Sequence, residues 1–148
     1  MEESSRKERT ARNMEMFRNY LNDNGISYVR REGRDAYILR LQGRQAGGMR
    51  IREIKAAVTV REKLVCMDVY CPVTSRKVPY MARLLNRLNG ANEGSGTYQY
   101  DKRDGELVFS DFFLADGGWP QDEEISAKIE RSIECVLALT QEIMSSEA

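Results

Sequence analysis

From Leu84 to Leu114 the chain reads LLNRLNGANEGSGTYQYDKRDGELVFSDFFL, which spells a helix, a polar loop and a complete β-hairpin in consecutive local signals. Met81, Leu84, Leu85 and Leu88 recur at helical spacing, so one stripe of that helix seeks a core while Arg83, Asn86 and Arg87 stay in water. Pro79 suits the first turn, where a missing N–H costs nothing, and Gly90 is expected to close the other end in the left-handed region. Tyr98 and Tyr100 then alternate with Thr97 and Gln99, and Asp101 to Gly105 carries the turn chemistry of a hairpin. On the returning strand, Leu107, Phe109 and Phe113 point one way while Val108, Ser110, Phe112 and Leu114 point the other. Both faces of that strand are partly apolar, so a sheet with both faces partly buried is expected.

The flanking segments extend the pattern into a fold class. Residues 5–24 are expected to form a first helix with Met14, Phe17, Tyr20 and Leu21 as its apolar stripe, frayed over residues 1–12 and stopped by Asn24-Gly25. Tyr28 to Glu32 and Ala36 to Leu41 read as a hairpin about Gly33-Arg34-Asp35, followed by a loose connection at Gly43 and Gly47-Gly48. Met49 to Val60 reads as a long, bent strand. Leu64 to Cys71 is a strand with Val65, Met67, Val69 and Cys71 on one face, ended by Pro72. A last helix starts at Asp122, with Glu123 and Glu124 complementing the positive end of its dipole. Its apolar stripe is read as Ile125, Ile129, Ile133, Val136, Leu137, Thr140 and Met144, widened by Ile143. Helix, four strands, helix, two strands, helix describes a single α+β domain over residues 1–148, built on an antiparallel sheet.

Composition excludes more chemistry than it suggests. There is no histidine among 148 residues, which removes the commonest general base near neutral pH, the commonest metal ligand and every Ser/His or Cys/His nucleophile. The three cysteines, Cys66, Cys71 and Cys135, are odd in number and not spaced as Cys-x-x-Cys, so they read as buried thiols in a reducing compartment. The charged beginning MEESSRKERTARN has no apolar signal region, and no run reaches the ~18 apolar residues of a membrane span. A cytoplasmic protein without membrane contact is the expectation. Net charge is zero, yet between Gly25 and Val65 there are ten bases against four acids, and from Asp101 onward twelve acids against four bases. Such sorting can simply solubilise edges and helices, or it can steer self-association or a charged partner. Nucleic acid is the least expected partner, since the basic segment interleaves only Tyr28 and Tyr37 and the acidic half repels phosphate.

Single motifs favour structural readings. Asp101, Asp104, Glu106 and Asp111 lack the spacing of a calcium loop and read as hairpin chemistry. Asp68 and Asp111 are read as solvent-facing strand carboxylates rather than tuned acids. GRQAGGMR lacks the Gly-Lys-Ser/Thr ending of a phosphate loop. Trp119, beside Gly117-Gly118, is either a plug under the last helix or an exposed anchor.

Three segments together resemble the YbjN family, bacterial proteins with a fold like that of type III secretion chaperones. They are Asn86-Arg87-Leu88-Asn89, then Gly96-x-Tyr98-x-Tyr100-Asp101, then Asp104-Gly105-Glu106-Leu107-Val108-Phe109. The resemblance implies a non-enzymatic, often dimeric, protein-binding domain that holds partner segments in extended form, with no catalytic, cofactor or metal residues to carry over. On that reading a homodimer with a peptide or protein client is expected, and Val65, Met67, Val69, Phe112 and Trp119 are the binding-face candidates, since adaptable Met and rigid aromatics suit a peptide surface. A carboxylate-based enzyme using Asp68 or Asp111, or a small-ligand binder, remains the alternative, with a nucleic-acid binder behind both.

Overall fold

The computed structural model describes residues 2–46 and 48–147, with side-chain surroundings described over 5–45 and 48–146. Three helices, α1 (Glu2–Asp23), α2 (Val78–Ala91) and α3 (Asp122–Glu147), accompany six strands: β1 (Ser27–Arg30), β2 (Ala36–Ala46), β3 (Met49–Val60), β4 (Leu64–Tyr70), β5 (Thr97–Asp101) and β6 (Glu106–Leu114). The strands form one antiparallel sheet in the order β1-β2-β3-β4-β6-β5. The α+β class is therefore as the sequence pattern requires.

Period-2 alternation sorts each strand onto an inner face covered by helices and an outer face. Inward lie Tyr37, Leu39 and Leu41 of β2, Ile54, Ala56, Val58 and Val60 of β3, Val65, Met67 and Val69 of β4, and Leu107, Phe109 and Phe113 of β6. The α1 stripe of Met14, Phe17, Tyr20 and Leu21 packs on this face, where the Phe17 ring stacks at 6.1 Å from Tyr37 and 6.3 Å from Phe113. The α1 helix is continuous from Glu2. Its early turns are held to the β3–β4 turn, with Arg9 donating to Glu62 at 3.0 Å and the Asn13 amide donating to the Arg61 and Glu62 carbonyls. The Tyr20 hydroxyl meets Ser126 Oγ at 2.7 Å and so ties α1 to α3.

The buried stripe of α3 is Ile125, Ile129, Ser132, Ile133, Val136, Leu139, Thr140 and Ile143. Leu139, absent from the expected stripe, is fully buried; Leu137 is half-buried and packs against the core from its margin, and Met144 is exposed. Steps of four and three residues from Ile125 land on Leu139 and Ile143, so the geometry of 3.6 residues per turn outweighs hydropathy at single positions.

Two glycine expectations change. Gly90 is not in the left-handed region; α2 runs one residue further and ends where Asn92 turns extended (φ −73°, ψ 117°). Gly43 is no loose connection but lies inside β2, where a Cβ would run into the backbone oxygens of Ile51 and Arg52. That close approach accompanies a change of facing. Beyond it Ile51 joins the core and Arg44 turns to Glu130 on α3, although strict alternation would point both outward.

The α2 helix flanks β5, the last strand of the sheet, and protects its edge. Asn89 Nδ2 donates to the Tyr98 carbonyl at 3.0 Å while its Oδ1 accepts the Tyr98 N–H at 2.7 Å. One side chain thus substitutes for a neighbouring strand. Asn89→Ala is expected to cost about 1–2 kcal/mol by leaving both backbone groups without this partner. Hydrogen exchange at the Tyr98 amide should then accelerate far more than at Val58; equal acceleration at both would show that the loss is global.

Candidate functional site

Of the five expected binding residues, the structure removes three from any free surface. Val65, Met67 and Val69 are 0%, 1% and 1% exposed, on the inner face beneath the helices. Their alternation was legible, but not which face the helices cover, and that choice turns an apolar stripe from surface to core. Trp119 is half-buried, with its ring edge-on to Phe113 at 5.3 Å and to Phe17 at 6.5 Å. It plugs one end of the core. Phe112, at 44% exposed, lies on the outer face of β6.

That outer face is the larger candidate surface. Cross-strand register places Ile38, Ala57, Asp68, Ser110 and Thr97 in one row; in the next it pairs Arg40 with Lys55 and Tyr70 with Val108 and Gln99, the two pieces meeting where Lys55 lies over the Tyr70 ring. Ile38, Ala57, Tyr70 and Val108 are partly exposed and form an apolar centre. Charge is sorted across it. Arg40 and Lys55 stand on β2 and β3, where Glu53 lies 3.9 Å from Arg40 and Lys55 Nζ lies 4.9 Å above the Tyr70 ring; Asp68 and Glu106 stand on β4 and β6. Asp68 accepts the Ser110 hydroxyl at 2.6 Å and is half-buried rather than solvated.

Asp111 departs furthest from expectation. Its side chain is 1% exposed and lies inward beneath α3, not toward solvent. Oδ1 accepts the Ser95 hydroxyl and the Phe112 N–H, both at 2.8 Å. Oδ2 lies 3.5 Å from Lys128 Nζ and 3.9 Å from Arg131. Arg131 also donates to the Ser95 carbonyl and to Asn92 Oδ1, and Lys128 donates to Ser95 Oγ at 3.0 Å. The carboxylate is thus paired by two cations that also hold the 92–96 loop, an arrangement that anchors β6 to α3. Alternation with Leu107, Phe109 and Phe113 was the signal that placed Asp111 inward. Its partners, 16 to 20 residues away on a loop and a helix, carried none.

The remaining acidic residues of the hairpin do turn chemistry. Arg103 pairs with Asp101 at 2.9 Å and holds its carboxyl down at about 2, while Asp104 Oδ1 accepts the Glu106 N–H. Gly105, at φ +77°, sits where a Cβ would come 2.7 Å from the Ser75 carbonyl. Cys71 is buried near Thr140 Oγ1, at 3.0 Å, and burial pushes its thiol up; Cys66 and Cys135 are half-buried, and all three are free.

The second surface is the end of the β2–β3 hairpin. Pairing between β3 and β4 begins only at Ala56 and pairing between β1 and β2 ends at Arg40, so Met49 to Ile54 and their β2 partners continue as a two-stranded ribbon. It carries Arg44, Arg50 and Arg52 against Glu53, with Arg40 and Lys55 at its base. GRQAGGMR belongs to this ribbon, with Gly47 outside the described residues.

Structure comparison pairs this architecture with the crystal structure of YbjN from E. coli, provisionally described as a transcription regulator. The TM-score is 0.64, with 14% sequence identity, 90% of this chain covered and 92% of the other. The fold is YbjN-like. No family model matches the chain, and no curated protein is matched by its sequence. The YbjN-like fold has, among the described residues, no helix long and apolar enough to cross a membrane.

Proposed function

We propose that the chain is a non-enzymatic protein-binding domain that works as a homodimer through the outer face of its sheet. The observation that carries this reading is the bipolar apolar face itself: Ile38, Ala57, Tyr70 and Val108 between cations on β2–β3 and carboxylates on β4–β6. A two-fold axis parallel to the strands lays the β1–β3 half of one copy over the β6–β5 half of the other. Arg40 and Lys55 then face Asp68 and Glu106 twice, in a self-complementary contact. The absence of histidine from the sequence and the commitment of Asp111 to two cations support a binding role rather than catalysis.

Light scattering over a concentration series tests this directly. Twice the 17.0 kDa chain mass is expected. Val108→Asp should weaken the dimer by about 100-fold, as loss of a central interface anchor does. Exchanging charges in the double variant Lys55→Glu/Asp68→Lys should restore association that Asp68→Lys alone weakens. A monomer at every concentration, or an unchanged mass for Val108→Asp, would end the proposal.

The arginine ribbon favours one second reading, a duplex DNA binder, in keeping with the description of E. coli YbjN as a transcription regulator. A two-stranded ribbon fits the major groove, and arginine forks suit phosphate and guanine. Anisotropy of a labelled duplex should then show affinity falling linearly with the logarithm of salt, with a shallower slope for Arg50→Ala/Arg52→Ala. No binding at low salt removes this reading.

A further inference from the structure

Strand β6 outlasts its partner. The β5 strand begins at Thr97, opposite Ser110, whereas β6 continues to Leu114. The bonds from the Cys71 N–H to the Leu107 carbonyl and from the Ala115 N–H to the Lys63 carbonyl set the phase: Leu107 and every second residue after it bond toward β4. The main-chain groups of Phe112 and Leu114 therefore point the other way, past the start of β5. Asp111 Oδ1 takes the Phe112 N–H. The Phe112 carbonyl and both main-chain groups of Leu114 face a cleft of about 350 Å³ between this edge and α3.

The cleft combines three features. Its walls are Phe112, Phe113, Leu114, Pro120 and Ile125, and at the Asp111 end stand Ser95 and Lys128. The single Asp111 carboxylate is shared by Lys128 and Arg131, and with Glu124 on the wall the four groups carry no net charge, so what the cleft offers an anion is the spare donor capacity of Lys128 beside Ser95. Arg131 is further occupied by the loop carbonyl of Ser95 and by Asn92, whereas Lys128 has three donors and two contacts, to Ser95 Oγ and to Asp111.

We infer that this edge binds the C-terminal segment of a partner protein, added as a short strand beside Phe112–Leu114 with its terminal carboxylate at Lys128 and Ser95. The cation lies at the Asp111 end, so the bound segment runs antiparallel to β6, in the direction of β5 and just ahead of it. Main-chain pairing supplies affinity, the apolar walls select an aliphatic or aromatic last residue, and the cation reads the chain terminus. The cleft is at the small end of ligand sites, about 300–1,000 Å³, which suits a terminal segment and not a folded domain. Glu124 also lines it, four residues from Lys128 on α3, and opposes an anion. This inference names a ligand class within the protein-binding reading and does not depend on dimerisation, because the edge belongs to one copy.

Six-residue peptides ending in Val, Leu or Phe provide the test, each as a free acid, as a C-terminal amide, and with alternate backbone nitrogens methylated. Anisotropy measures affinity, and amide chemical shifts locate the site on the full chain. The free acids are expected to saturate a site that shifts Phe112 to Leu114 and Ile125 to Lys128, the amides to bind at least tenfold more weakly, and the methylated set not to bind. Lys128→Met should weaken free-acid binding at least tenfold, and Glu124→Gln should tighten it; the Gln variant and the peptide chemistry keep the test valid if the Met variant fails to fold. Val108→Asp should bind as the parent does, which separates failure of the dimer from failure of the cleft. Equal binding of acids and amides, tolerance of backbone methylation as for a fatty acid, or no binding at millimolar peptide would each overturn the inference.

Discussion

Phe109→Ala is expected to lower the free energy of unfolding by about 3–5 kcal/mol, near the top of the range for a large-to-small core change. Phe109 is fully buried on β6, between β4 and β5 in the sheet. Tyr98 meets its ring edge-on at 4.9 Å, the Arg131 guanidinium lies 5.6 Å above it, and Gly96 leans against it in the left-handed region at φ +95°. A Cβ on Gly96 would come within 2.6 Å of the ring, so the loop has closed on this side chain as far as a backbone can. Removing the ring leaves a void walled by two strands, a loop and α3, none of which can collapse inward without breaking pairing elsewhere. Urea unfolding should show the shift in midpoint with an unchanged slope. A loss under about 1.5 kcal/mol, typical of volume-conserving core changes, would mean that the site relaxes and that this packing is not as described.

Asp111→Ala is the second large effect, about 2–3 kcal/mol. Fully buried pairs lose about 3–5 kcal/mol when one partner is removed. Here Lys128 and Arg131 are about a third exposed, at 32% and 34%, so water takes up part of their charge and the cost is lower. The loss has a local part as well, because the Ser95 hydroxyl and the Phe112 N–H lose their acceptor together. Asp111→Asn retains an acceptor oxygen and should recover part of the stability. Hydrogen exchange should show the Ser95 to Thr97 backbone opening before the sheet does in both variants. An Asp111→Ala protein as stable as its parent would show that the two cations are satisfied by solvent and that the carboxylate contributes no net stability.

Much of the architecture was legible because it rests on local, periodic signals. The α1 stripe, the phase of β4 and β6, the Asp104-Gly105 turn and the start of α3 at Asp122 all follow from spacing within a few residues. The Gly90 ending failed locally, because α2 runs on to Ala91 and Asn92 leaves it in an extended conformation with its N–H on the Asn89 carbonyl. The other failures involved a neighbour far along the chain. Gly43 became a close-approach residue because β3 passes against it. The candidate binding residues divide in the same way: Phe112 and Met67 are both apolar strand residues, and only the side on which α1 and α3 dock leaves one exposed and the other in the core.

The sequence by itself determined the elements, their order and which residues share a face of each strand, since these depend on backbone geometry repeating every 2 or 3.6 residues. Only the tertiary structure decided which face is covered, that Asp111 there meets Ser95, Lys128 and Arg131, and that β6 runs on past β5 to leave an edge beside a cation. Those outcomes depend on where chain segments 15 to 100 residues apart come to rest. Alternating apolarity states that a face exists, but burial is a property of what packs against it.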